Sequence, residues 1–167
     1  MNGLTGGMFA RHHALGMDAI CFAVYGHHGK DTEEEAKEAE GRCSSWVNLG
    51  GGVRGDHEMA LEVNEWRVDV LVDLIGLIHG NRHNVMHFRP SPVQAVMVYA
   101  ATTGSPSIDL FLSDRIATPP DLFRSSFTEN ALLVPPSHFV NNQRGLIPPP
   151  SQDQPPPRSD PGLPQGG

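Results

Sequence analysis

The sequence predicts an α/β fold built on a mostly parallel sheet, and two observations carry that expectation. The first is a set of three short apolar runs, at residues 68–74, 93–99 and 108–112, rich in Val, Ile, Leu and Phe and without clean polar alternation. Such runs suit strands buried on both faces, as in a parallel sheet covered by helices. The second is the small or polar cluster at the end of each run. Gly76 with Gly80 and Asn81 closes the first, Thr102, Thr103 and Gly104 the second, and Ser113 with Asp114 the third. Ligands of parallel sheets lie at the carboxyl ends of strands, so these three clusters are where function is sought.

Bulk composition narrows the classes. The chain has 167 residues, enough for one domain with a sizeable core. A formal charge of -7 gives no support to a nucleic-acid partner. Hydrophobic residues make up 38%, low for a compact α/β domain, and the proline-rich end explains part of the deficit. No apolar run approaches the roughly 20 residues that span a bilayer, and no basic-then-apolar signal peptide opens the chain. Cys21 and Cys43 are the only cysteines. Cys21 sits in the apolar run ICFAVY and is expected to be a small buried hydrophobe, with no disulfide framework and a reducing compartment as the default.

Taken in order, residues 1–7 are small and flexible. Residues 8–15 form a short helix, with Met8, Arg11, His12 and Leu15 at helical spacing and Gly16 ending it. Residues 19–25 are the first strand, closed by a loop at Gly26, His27, His28 and Gly29. Residues 31–42 form a charged helix capped by Asp31 or Thr32, with Glu33 and Lys37 four apart in the favourable orientation. Its acidic run reads as a solvated face. Residues 45–49 are a second strand, followed by Gly50, Gly51 and Gly52, which lack the Lys-Ser/Thr of a phosphate-binding loop.

Residues 56–66 form a helix capped by Asp56, with Met59, Val63 and Trp66 on the face that packs on the sheet. Strand, loop, helix and strand from residue 45 to 74 form one right-handed crossover unit. Pro90 and Pro92 stand at the entrance of the next strand, because proline has no backbone donor for the ladder. Residues 109–113 are the following strand. Thr118, Pro119, Pro120 and Asp121 start a turn and a short helix through Phe123, and residues 131–134 are the last strand. From residue 143 the chain is dominated by Pro, Gly, Ser and Gln and is expected to be a plain disordered tail of polyproline character, a ligand for a proline-recognising domain being the lesser alternative.

A family resemblance lies on the same stretch. VDVLVDLIGLIHGNRHNVMHFRPSPVQ resembles the segment I-D-I-L-V-D-L-x-G-H-T-x-x-N-R, then R-P-A-P-x-Q, of the O-GlcNAc transferase / SPINDLY glycosyltransferase family. TTGSPSIDLFLSDRIATPP resembles that family's T-T-G-x-P-x-I-D-Y-x-x-x-D-x-x-x-x-P-P, and residues 131–135 its L-x-x-L-P. Residues 19–25 resemble H-D-x-x-x-F-E-V-x-x-Y. The resemblance covers residues 8–142. It implies part of the Rossmann-like first lobe of a two-lobe glycosyltransferase, with helices on both faces of the sheet. It implies transfer of a sugar from a nucleotide donor to Ser or Thr hydroxyls of protein acceptors. The donor is UDP-GlcNAc in one branch and GDP-fucose in the other. TTGSPSID is nearer the SPINDLY wording and HFVNN nearer the O-GlcNAc branch, so the donor stays open. No cofactor, nucleic acid or membrane is implied, and a cytoplasmic or nuclear location is expected.

The resemblance also suggests a site. The family's G-Y-P-x-T-[ST]-G loop lies against the donor sugar, where backbone amides and hydroxyls hold a sugar or pyrophosphate without a charged side chain. Thr102, Thr103 and Gly104 match it, and Tyr99 aligns with its Tyr, although Ala100 and Ala101 replace Pro and its neighbour. An ordinary exit from a strand is the competing reading. Asp109 matches the Asp of I-D-Y and is expected to support that loop structurally. The family's G-[HY]-T is Gly76-Leu77-Ile78 here, which removes a polar ring and a hydroxyl. The motif D-F-x-x-H-P is missing from the start of the chain, and the second lobe is not encoded in it, so catalytic residues stay unassigned. Activity is expected to need parts beyond this chain; the alternative is a non-catalytic remnant or interaction module. His79, His83 and His87 are each four apart and would share a face on one continuous helix, but Gly80 and Asn81 interrupt it and no metal site is expected.

Overall fold

The computed structural model describes residues 7–24, 41–50, 54–77, 81–97, 101–135 and 137–138. The elements run α1 (Met8–Ala14), β1 (Ile20–Ala23), β2 (Ser45–Asn48), α2 (Asp56–Glu65), β3 (Val70–Asp73), a 3₁₀ helix (His83–Phe88), β4 (Val93–Met97), β5 (Leu110–Ser113), α3 (Pro120–Ser126) and β6 (Asn130–Leu133). Residues 31–40 of the expected charged helix, Gly51 and Gly52, the loop at His27 and His28, Tyr99, His79 and the tail from 143 lie outside the described residues, and Gly41 and Arg42 form a turn rather than the end of a helix.

Every strand ladder is parallel. β1 and β2 form one pair, and β3-β4-β5-β6 form a second sheet in chain order. The expected crossover from β2 through α2 to β3 therefore joins two hydrogen-bonded sheets rather than neighbouring strands of one. α2 still does the work of a crossover helix, because its buried face lies against both sheets. Met59, Ala60 and Val63 pack with Val47 and Leu49 of the small sheet, with Val85, and with partly buried Ile20, Phe22, Val68 and Leu71. Burying each such side chain contributes roughly 1.5–3 kcal/mol.

Two details of α2 differ from expectation. Asp56 is the first helical residue rather than the cap. Gly55 takes the N-cap position, its amide donating to Glu58 Oε2 at 3.1 Å, while Asp56 Oδ1 accepts from Arg82 at 3.0 Å. Trp66 is 42% exposed, whereas Ala60 is 3%. Trp66 is the C-cap and Arg67 after it turns to a φ of 50°, so the face that Met59 and Val63 bury ends before Trp66. Gly16, at φ 74°, ends α1 as the sequence predicts. α1 buries no side chain of its own.

The second cluster joins Met86, Val96, Ile108, Phe111 and Phe123, with Phe127 and Leu71 against it. Leu71 belongs to the margin of both clusters and links them. Phe127 closes on Phe111 edge-on at 4.8 Å and stacks on Phe123 at 4.2 Å, which anchors α3. Side chains alternate along a strand, so Leu71, Val96 and Phe111 share one face of the four-stranded sheet. Neither cluster draws on the other face. On that face Val70 and Leu132, in the edge strands, are 52% and 46% exposed, while Ala95 and Met97, in β4, are buried.

The cysteines also differ from expectation. Cys21 and Cys43 are joined by a disulfide. The apolar run around Cys21 hides this, because a four-residue strand shows alternate residues to opposite faces: Ile20 and Phe22 pack into the α2 cluster, and Cys21 does not.

Candidate functional site

Parallel strands give the four-stranded sheet a carboxyl-terminal edge and an amino-terminal edge. At the carboxyl edge, β3 ends in Asp73. Its Oδ1 accepts from the Ile75 amide at 2.8 Å, and its Oδ2 lies 3.6 Å from His83 Nδ1. Gly76 follows at φ 78°. β5 ends in Ser113, whose hydroxyl is 2.6 Å from that of Thr118, and then buried Asp114. Asp114 Oδ1 accepts from the amides of Ile116 and Ala117, each at 2.8 Å. Its Oδ2 accepts from the His138 amide at 3.0 Å and lies 2.7 Å from His138 Nδ1. The Ala117 amide, the His138 ring and amide and the Ile116 amide hold this carboxyl well below the usual range against the opposing effect of burial. The cluster orders the turn after β5 and fastens the chain after β6 to it.

The amino edge is a lock between distant segments. Gln94 is fully buried; its amide group donates to the carbonyls of Met86 and Ser107 at 2.8 and 2.7 Å. Asp109, just before β5, accepts from the Gln94 backbone amide at 2.8 Å and from Arg89 Nη2 at 3.0 and 3.1 Å. Arg89 also donates to the Ser107 and Pro92 carbonyls and adopts a φ of 47°. Arg89, Gln94 and Asp109, which belong to separate stretches of the chain, are thus parts of one hydrogen-bonded unit.

Thr102, Thr103 and Gly104 belong to this second edge. Thr102 Oγ1 donates to Glu129 Oε2 at 2.7 Å, the Thr103 amide donates to Glu129 Oε1 at 2.7 Å, and the Thr103 hydroxyl reaches the same oxygen. The amides of Gly104 and Thr128 donate to Thr102 Oγ1, each at 3.2 Å. Glu129 is the residue before β6, and β6 begins level with Leu110. The connection from β4 must run back along the sheet to reach the start of parallel β5, and Thr102 to Gly104 lie on that return path. Burial opposes ionisation of Glu129, but hydrogen bonds from Thr103, from Thr102 and from the Thr103 amide outweigh it and keep the carboxyl below its usual range.

The expectation that all three clusters gather at the carboxyl edge is therefore met by Gly76 and by Ser113 with Asp114, and not by Thr102 to Gly104. Tyr99, two residues beyond the last residue of β4, lies outside the described residues. Asp109 supports the entrance of β4; among the described residues its carboxylate makes no hydrogen bond to Thr102, Thr103 or Gly104. Neither Glu129 nor His138 stands out in the sequence. A lone acidic residue directly before an apolar strand is the available signal for Glu129, because a buried carboxylate needs partners. His83 and His87 both lie on the 3₁₀ helix, their rings edge to face with centroids 6.1 Å apart. Among the described residues, no group of three or more His, Cys, Asp or Glu is placed to hold a metal ion, and no helix is long and apolar enough to cross a membrane.

Comparison with known proteins gives this arrangement a context. The chain is 25% identical, over 97% of its length, to the probable UDP-N-acetylglucosamine–peptide N-acetylglucosaminyltransferase SEC of Arabidopsis thaliana, and spans 16% of that protein. It is 40% identical over 40% of its length to the corresponding SPINDLY protein of Oryza sativa subsp. japonica, of which it covers 7%. A solved structure of a mutant O-GlcNAc transferase from Thermobaculum terrenum superposes with a TM-score of 0.65 at 21% identity, over 81% of this chain and 24% of that one, and so shares the fold. The profile described as glycosyl transferase family 41 matches residues 8–152, and on that match the chain belongs to glycosyl transferase family 41.

Proposed function

We propose that this chain supplies part of the first lobe of an enzyme that transfers a sugar from a nucleotide donor, UDP-GlcNAc or GDP-fucose, to Ser or Thr hydroxyls of proteins. The observation that carries the reading is the match to the family over residues 8–152, together with Asp73 and Gly76 at the end of β3 and Ser113 and Asp114 at the end of β5 in an all-parallel sheet. In this reading the donor sugar meets the loop at its Tyr99 end, while Thr102, Thr103 and Gly104 fix the return path to β5 through Glu129. Asp109 holds the entrance of β4 in register.

The chain alone is not a self-sufficient enzyme in this proposal. Its 167 residues hold no D-F-x-x-H-P motif, and the position where the family carries a polar ring is Leu77, which is 57% exposed. That exposed Leu77 also favours the second reading, a non-catalytic module of the same fold. Calorimetric titration with UDP-GlcNAc and GDP-fucose, with a Ser/Thr peptide added afterwards, tests both. Weak heat from one donor without transfer is the expected result. Transfer by the chain alone contradicts its incompleteness, and absence of heat from both donors at millimolar concentration removes the donor-site reading in favour of the module.

A further inference from the structure

β1 and β2 are a two-strand pair of four residues each, too small to persist on its own ladder. Hydrogen bonds close both ends. The Ser44 amide donates to the Ala19 carbonyl at 2.8 Å, and the amides of Leu49 and Gly50 donate to the Ala23 carbonyl at 2.8 and 3.1 Å. One face of the pair, Ile20, Phe22 and Val47, packs into the α2 cluster. Cys21 is in register with Trp46, and this position alternates to the other face. The disulfide from Cys21 runs to Cys43, just before β2, with Cα atoms 6.0 Å apart and a sequence separation of 22, a spacing ordinary for such bonds. Both cysteines are half-buried. The bond therefore sits on the side of the small sheet turned away from its core, within reach of a small thiol.

The geometry points to a reversible redox clamp, in which the Cys21–Cys43 bond fastens the first strand to the segment entering the second. In closing, the two thiols give up two electrons and two protons to a small disulfide, which leaves as two thiols while the Cys21–Cys43 bond forms. A dithiol reverses the step and is itself oxidised to a disulfide. Bonds reachable from solvent are the labile kind, and a reducing compartment holds the clamp open while an oxidising one closes it. Opening leaves β1 held by its ladder, by the hydrogen bonds at its two ends and by the packing of Ile20, Phe22 and Val24. The four-stranded sheet, with its own cluster around Phe111, keeps its packing.

The test uses the full chain, oxidised with glutathione disulfide or reduced with a dithiol. Peptide mapping without reductant is expected to link the peptides holding Cys21 and Cys43 in the oxidised sample only. Reduction is expected to speed amide exchange in β1 and β2 by at least about tenfold, to leave β4 and β5 unchanged, and to be undone by reoxidation. Cys43→Ser should exchange at the reduced rate under both conditions. Since the wild-type chain carries the comparison by itself, poor folding of that variant does not rescue or sink the idea. Two titratable thiols in the oxidised sample, equal exchange in both states, or acceleration spread evenly through both sheets each overturns it.

Discussion

At the amino edge of the four-stranded sheet, side chains reach across long stretches of sequence. Asp109 holds Gln94 and Arg89, and Glu129 holds Thr102 and Thr103. At the carboxyl edge, carboxylates bond amides two or three residues further on: Asp73 to Ile75, and Asp114 to Ile116 and Ala117. His138 on Asp114, and His83 with Nδ1 3.6 Å from Asp73, reach in from further along the chain. The first edge is a lock that sets strand register. The second is a row of locally ordered turns, each able to adjust without disturbing the others. The carboxyl edge is also where parallel sheets meet their ligands, so in the function proposed above the difference in wiring separates what stabilises this fold from what would face a donor.

The comparison breaks first if the lock is weak. Gln94→Leu should have the largest effect, about 3 kcal/mol, because it strands the Met86 and Ser107 carbonyls in a buried site; the urea midpoint of unfolding measures it. Glu129→Ala should follow at about 2 kcal/mol, since it removes the acceptor of two hydroxyls and an amide. Asp73→Ala at the other edge should cost only about 1 kcal/mol, with the loss of the Ile75 turn bond and of the 3.6 Å approach to His83. A larger loss for Asp73 than for Glu129 reverses the assignment of roles. Gly104→Ala should cost about 1 kcal/mol, because the added methyl meets no atom within 4 Å and only the φ of 67° resists it.

Acidity sharpens the same contrast. The carboxyls of Asp114 and Glu129 both ionise more readily in the folded chain than in an unfolded one. Their contribution to stability is thus complete above the ordinary carboxylate values of 3.8 and 4.5 and is lost as pH falls below them. Thermal unfolding followed between pH 6 and pH 3 should show a falling midpoint, and Asp114→Asn or Glu129→Gln should each flatten that fall.

Much of the fold was legible in the residues. Runs of Val, Leu and Ile placed β3, β4 and β5, and Gly16 marked the end of α1, because burial and positive φ leave direct traces in composition. What stayed hidden depends on contacts between residues far apart in the chain. Asp56 looks like a cap until Arg82, distant in sequence, claims its carboxylate. Cys21 looks like core until the strand's alternation turns it outward to Cys43. Thr102 and Thr103 look like the end of β4, yet the return path to a parallel neighbour carries them to Glu129. Family membership consequently rests on the match along residues 8–152 rather than on where that turn lies.

Chemical-shift mapping of the isotopically labelled chain, titrated with UDP-GlcNAc and then GDP-fucose, tests the division between the two edges most directly. The expected perturbations fall on Asp73, Ile75, Gly76, Ala101, Ile116, Ala117 and His138, with Asp109, Gln94 and Glu129 unmoved. Shifts concentrated on Asp109, Thr128 and Glu129, with the carboxyl edge silent, would contradict it.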